Sequence, residues 1–214
     1  LVDQGGATRT ELLARRAQIG LAEQGRDLLQ DKREQLMTEF RTSARTVMAG
    51  SDALESAAAS ARLALDRARA RDGPEAVASA AFAATGHVEV EASVGNIMGV
   101  RVPRIEHRPV GRTSQSRGYS LAATTPRIDE VARRFEAQVD LVLQVAAGEA
   151  RLRRLAAEIA TTTRRVNALE HVVIPRLVTS RNRIQRVLEE REREDHFRLK
   201  RVQLRRSPGP RRQL

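Results

Sequence analysis

The sequence predicts a mostly α protein: two long helices folded into an antiparallel coiled coil, separated by a small head that holds a short helix and a β-hairpin. Three observations lead there. Apolar residues recur at spacings of seven, three and four over two long stretches of the 214-residue chain. Aromatics are only 2% of residues while 41% are hydrophobic and 30% charged, which is the Ala/Leu/Arg/Glu bias of long helices and leaves few rings for an ordinary compact core. Between the two stretches, one segment alternates with period two.

Residues 1–7 are expected to be disordered. Thr8 with Glu11 three later forms a capping-box pattern, which satisfies orphan amides at a helix start. The first long helix is therefore placed at 8–70, with Leu12, Ile19, Ala22, Leu29, Leu36 and Phe40 along its seam. Glu11 with Arg15 and Glu23 with Arg26 are expected as surface pairs, as is Glu189 with Arg193 near the other end of the chain. Asp72-Gly73-Pro74 stops the first helix and opens the head, 71–125.

Pro74-Glu75 starts a short Ala-rich helix that Gly86 can end. In "HVEVEASV", Val88, Val90, Ala92 and Val94 alternate with His87, Glu89, Glu91 and Ser93, the pattern of a half-exposed strand. "GNIMG" turns the chain into a return strand, "VRVPRI", which makes a hairpin over 87–106. Residues 107–125, rich in Gly, Pro and Ser, read as a flexible linker.

Thr125-Pro126, an N-cap followed by proline at the first helical position, opens the second long helix, 126–205. Its seam is Leu152, Leu155, Ile159, Val166, Leu169 and Val173, continued after a shift of four by Leu177 and Ile184. Pro175 lies at that shift. It removes the amide that would bond to the carbonyl of His171, at a cost of about 3 kcal/mol inside a helix. Either one helix ends at Ile174 and another begins, or a single helix bends where the register changes; the coincidence of proline and register shift favours the second. At 1.5 Å per residue the two helices would reach roughly 90 and 120 Å. The tail, 206–214, is expected to be disordered and basic.

Charge and motifs exclude more than they assign. The net charge is +11, but residues 198–214 hold seven basic and no acidic groups, so the excess marks a tail rather than a groove. With no cysteine, disulfides and thiolate metal sites are excluded. The histidines, at 87, 107, 171 and 196, never fall at three- or four-residue spacing, and no metal is expected. "GNIMG" lacks the Lys-Ser/Thr of a phosphate loop, and no nucleophile elbow occurs. Catalytic residues and cofactors are accordingly assigned as none. No apolar run of about 18 residues and no charged-then-apolar leader are present, so neither a membrane span nor a signal peptide is expected.

Four stretches resemble the D subunit of the V-type and archaeal A-type rotary ATPases, the central rotor shaft. They are "TRTELLARRAQIGLAEQGRDLLQDKREQLMTEF" (8–40), "NIMGVRVP" (96–103), "RRVNALEHVVIPRL" (164–177) and "EREREDHFRLKRVQ" (190–203), in the family's order along nearly the whole chain. Arg replaces Lys almost throughout, and the loop 107–125 and the tail after Gln203 depart from the pattern.

The resemblance implies a helix that runs through Pro175 and a non-catalytic subunit, one copy per complex. The shaft would couple ATP hydrolysis or synthesis in a ring of A and B subunits to proton or sodium transport. The F subunit would bind at the head or coiled coil, and a funnel-like C subunit would seat the shaft above the membrane ring. It further implies a cytoplasmic location peripheral to the membrane, with no direct insertion and no nucleic acid. Arg198, Lys200, Arg201, Arg205 and Arg206 are candidate contacts to the A/B ring, and Val88, Val90, Ile97, Met98, Val100 and Val102 are candidate head contacts to partners. The alternative, from another class, is a basic coiled-coil adaptor that binds nucleic acid or an anionic membrane through its tail.

Overall fold

A computed structural model of the chain describes residues 7–84, 88–107, 109–120, 122 and 124–206. Helix α1 (Arg9–Asp72) is followed by α2 (Pro74–Ala83), strands β1 (Val90–Ile97) and β2 (Val100–His107), and a 3-10 turn at Ser114–Ser116. Helix α3 (Pro126–Ala168) then leads through a π-helical turn, Leu169–Val173, into α4 (Ile174–Arg206). Two long helices and an antiparallel hairpin make this the mostly α class that the heptad spacings predict. The expectations for residues 1–6, His87, the Gly86 helix stop and the tail 207–214 lie outside the described residues.

The chain divides into two compact units, one of residues 1–33 with 161–214 and one of residues 34–160. In the first, the Thr8 hydroxyl accepts from the Glu11 amide at 3.2 Å, which caps α1, while the Glu11 carboxylate turns to Arg15 at 2.9 Å. Arg9 meets Glu192 at 2.7 Å and Arg191 donates to the Ala7 carbonyl at 2.9 Å, so the start of α1 lies beside the far part of α4. Ile19, Thr162, Val166 and Ile184 are buried in this unit, and Leu12, Ala22, Leu29, Leu169 and Leu177 are half-buried. Arg26 pairs with Asp27 at 2.8 Å, not with Glu23.

Val173 departs from its predicted seam position: it is 38% exposed. The cause is the π turn. The Ile174 amide donates to the Leu169 carbonyl, five residues back, so one extra residue enters the turn and the apolar stripe rotates off Val173. The widened turn sits immediately before Pro175, where a regular helix would need an amide that proline lacks. Helical backbone continues on both sides of Pro175, and the choice left open by the residues resolves as an underwound helix rather than a break.

In the second unit the helices again run in opposite senses. Glu39 meets Arg151 at 3.3 Å, Val47 packs at Gly148, Gly50 lies against Val145, and Asp72 meets Arg127 at 2.7 Å. Gly148 permits the close approach: a Cβ there would overlap the Val47 side chain. Farther along, Ala58, Ala61 and Ala68 are buried. At the end of α1, Asp72 accepts from Thr125 at 2.8 Å as well as from Arg127. The Thr125 hydroxyl thus ties helix ends together.

The hairpin packs on this helix pair through one face only. Ile97 is in register with Val100 across a two-residue turn, Met98-Gly99, whose φ values of 51° and 83° are those of a primed turn. The Asn96 side chain accepts from the Gly99 amide at 2.8 Å and closes it. Gly95, Asn96 and Ile97, read as turn residues from the sequence, therefore belong to β1. Val100 and Val102 are buried against Leu36 and Leu155, flanked by Phe40, Ile97 and Ile159.

Gly148→Ala should lower the stability of the isolated chain by about 1–3 kcal/mol, seen as a lower thermal midpoint, and adding Val47→Ala should recover part of the loss by vacating the overlapped volume.

Candidate functional site

Four surface features carry the side chains from which a function can be argued. The first is the segment after the hairpin, expected as a flexible linker. Its described residues are instead strapped along α3. Asp129, Glu136 and Asp140 lie seven and four apart, on one helix face. The Val110 amide donates to Asp140 at 3.0 Å and the Arg112 amide to Glu136 at 3.1 Å. Arg117, 4% exposed, forks its guanidinium between Glu136, at 2.8 and 2.9 Å, and Asp129. The Tyr119 hydroxyl donates to Asp129 at 2.9 Å and the Ser114 hydroxyl at 3.0 Å. A linker reading fails because sequence spacing within the loop gives no hint that its donors face a row of carboxylates.

Electrostatics follow from that packing. Hydrogen bonding to Glu136, then to Asp129, holds the Arg117 guanidinium above its ordinary value despite burial. Burial alone would raise the Asp129 and Glu136 carboxyls. The bonds from Arg117, with Tyr119 and Ser114 at one and the Arg112 amide at the other, outweigh burial and hold both below the usual carboxylate range. Burial pushes the Tyr119 phenol up. Arg127 lowers Asp72 in the same sense.

The second feature is a groove of about 690 Å³ beside α2, lined by Pro74, Val77, Ala81, Tyr119, Val131 and Phe135. Tyr119, Val77, Ala80, Ala68, Ile128 and Val131 form the buried floor, so the strap also builds one wall of the groove. Phe82 stands 95% exposed on α2.

The third feature is the hairpin, and here the candidate head residues separate. Val88, Val90 and Met98 are 38–43% exposed, whereas Val100 and Val102 are buried within the chain and are not available to a partner as long as the hairpin stays docked. Ile97 is half-buried. The period-two reading named the right strand but the wrong face. Val94 is 72% exposed, and Val90, Ala92 and Val94 lie on the side away from Leu36 and Leu155.

The fourth feature is the end of α4. Arg198, Lys200 and Arg201 are exposed there, interleaved with exposed Phe197, Leu199, Val202 and Leu204. The side chains of Arg205 and Arg206 lie outside the described residues. Arg193 pairs with Glu190 at 3.4 Å, and Glu189 with Gln185 at 3.0 Å, so other partners take the place of the expected Glu189–Arg193 bond. Among the described residues no group of three or more His, Asp or Glu side chains is placed to hold a metal ion.

Arg117→Ala should destabilise the strap by about 3 kcal/mol, because it leaves two carboxylates facing a vacated buried site, whereas Arg117→Lys keeps the charge but loses the forked bonds; hydrogen exchange over 109–120 reads both. Depressed carboxyls contribute stability above their unfolded value and lose it as pH falls through the folded one. Strap protection should therefore stay level from about pH 8 to 5 and drop on acidification below about pH 4.

The family model described as the ATP synthase D subunit matches residues 11–204. The D subunit of the V-type ATP synthase of Thermus thermophilus is 44% identical over 202 residues, covering 94% of this chain and 88% of the relative. The D subunit of the A-type ATP synthase of Thermococcus gammatolerans is 42% identical over 195 residues, 91% of each chain. That of Halorubrum lacusprofundi is 41% identical over 198 residues, covering 91% of this chain and 86% of its own.

Proposed function

Since the chain belongs to the family of ATP synthase D subunits, we propose that it is the non-catalytic rotor of a V/A-type rotary ATPase or ATP synthase, turning inside a ring of A and B subunits where the nucleotide chemistry takes place. Rotation couples that chemistry to proton or sodium movement. The observation that carries this reading is α1, a single helix of 64 residues, matched by helical backbone from Pro126 to Arg206 that proline does not interrupt. Such elements bury only a stripe each and so make a poor enzyme core, but paired helices resist bending and suit the transmission of torque.

The partners follow from the same reading: A and B around the coiled coil, F on it or at the head, and C at the membrane side. No helix among the described residues is long and apolar enough to cross a membrane, which fits a place peripheral to the membrane within a membrane-bound complex. Exposed Arg198, Lys200 and Arg201 supply the ring contact, with Arg205 and Arg206 extending it.

The test is rotation itself. A bead attached through Ser93→Cys in the assembled complex should turn in one direction on ATP addition, and a static bead on a complex that still hydrolyses ATP would overturn the rotor assignment. Neutralising Arg198, Lys200 and Arg201 to Gln should reduce torque or ring retention at low salt, with the difference from the parent shrinking as salt screens the charges.

A further inference from the structure

In the first unit, both helices are interrupted at nearly the same level. On the α3–α4 side, the Ile174 amide is drawn to the Leu169 carbonyl, and Pro175 has no amide to give. The Glu170 carbonyl, which residue 174 would reach in an α ladder and residue 175 in a π ladder, is left without either amide. On the other side, α1 runs through Gly20 and Gly25, residues that weaken a helix interior. Counted equally from the Arg9–Glu192 pair, Gly25 comes level with Arg176, and Gly20 lies nearer that pair. Asp27 first, and Glu170 more weakly, hold the Arg26 guanidinium above its ordinary value, so this part of α1 lies close to the π turn.

Packing asks for neither interruption. A Cβ at Gly20 or Gly25 would meet no atom within 4 Å, so alanine fits at both. Across the π turn the seam resumes after one surplus residue. Thr162 to Leu169 is a step of seven, Leu169 to Leu177 eight and Leu177 to Ile184 seven, while Val166 to Ile174 is again eight. A helix one residue shorter would seat the same side chains. Bends in long helices fall at prolines and π turns, and lost ladder bonds lower the cost of local opening. Ile19, Thr162, Val166 and Ile184 stay buried on either side and hold the pair together.

We propose that Leu169–Pro175 and Gly20–Gly25 form one joint, at which residues 9–19 with 176–206 bend and twist against the rest of their unit. The joint goes beyond the rotor reading and does not need it, since a chain that never turns would still have it. Its consequence for a rotor rests on that reading: the end of α4 that meets the ring can shift without deforming the whole helix.

Distances between spin labels in the full chain test it, and the absence of cysteine lets each label be set by substitution. Arg165→Cys with Arg183→Cys spans the joint. Val142→Cys with Ala160→Cys spans the same number of residues of α3 without it, about 27 Å on a rigid helix at 1.5 Å per residue. The first pair should give the broader distribution. Gly20→Ala with Gly25→Ala should narrow it, although both lie on the other helix, and should slow hydrogen exchange over 18–27 by roughly fourfold per substitution. Pro175→Ala with deletion of Val173 restores an unbroken ladder and an even heptad, and should narrow it as well. The Val142–Ala160 distribution should stay as it is in both variants. Equal widths in the parent chain, or a distribution across the joint that neither variant narrows, would overturn the proposal. So would alanines that weaken assembly of the complex yet leave the label distances unchanged, because the glycines would then make room for a neighbour.

Discussion

A pair of helices can bury only one stripe of each, and every other feature of this chain answers that limit. Leu36 and Leu155 are fully buried only where a hairpin lies over them, with Val100 and Val102 as the third layer. Ala68, Ile128 and Val131 are buried where α2 and the Tyr119 strap cover them. Where no third element adds cover, as along residues 191–204, side chains are exposed all round. Small residues do complementary work: Gly148 beside Val47 and the buried Ala58 and Ala61 bring backbones close enough for short side chains to make dispersion contacts.

Charge is used in two distinct ways. Along the helices, pairs such as Arg9–Glu192 and Arg153–Glu149 are exposed and contribute little each, with water and salt screening them. The Arg117 cluster is different in kind. One buried guanidinium satisfies two carboxylates, and those carboxylates also receive a backbone amide and two hydroxyls from the strap. Such a cluster fixes where the loop lies more than it adds net stability, because desolvation offsets much of the attraction. Since Tyr119 belongs both to this cluster and to the α2 groove, the loop's position also sets the groove's shape.

The hairpin shows how an amphipathic pattern can mislead. Alternation of Val88, Val90, Ala92 and Val94 with polar residues correctly marks a strand, since the period belongs to the local backbone. Which face meets the helices depends on a partner surface, and here it is the one with Gly95, Ile97, Val100 and Val102, while Glu91 and Ser93 farther along the same face are exposed. The same distinction explains Val173, where a heptad count was carried unchanged through a turn that contains one residue more.

By itself the sequence determined what short-range chemistry can determine. Heptad spacing located the long helices, Thr8 capped one and Pro126 opened another, and Asp72-Gly73-Pro74 separated α1 from α2. Its segments also carried the family resemblance. Tertiary structure decided what depends on partners distant in the chain: the accommodation of Pro175 by a π turn, the buried face of the hairpin, and the fastening of Arg117 to Asp129 and Glu136 across 12 and 19 residues. Periodicity reports the geometry of one segment, whereas burial and ion pairing are properties of two surfaces meeting, and no single segment contains both.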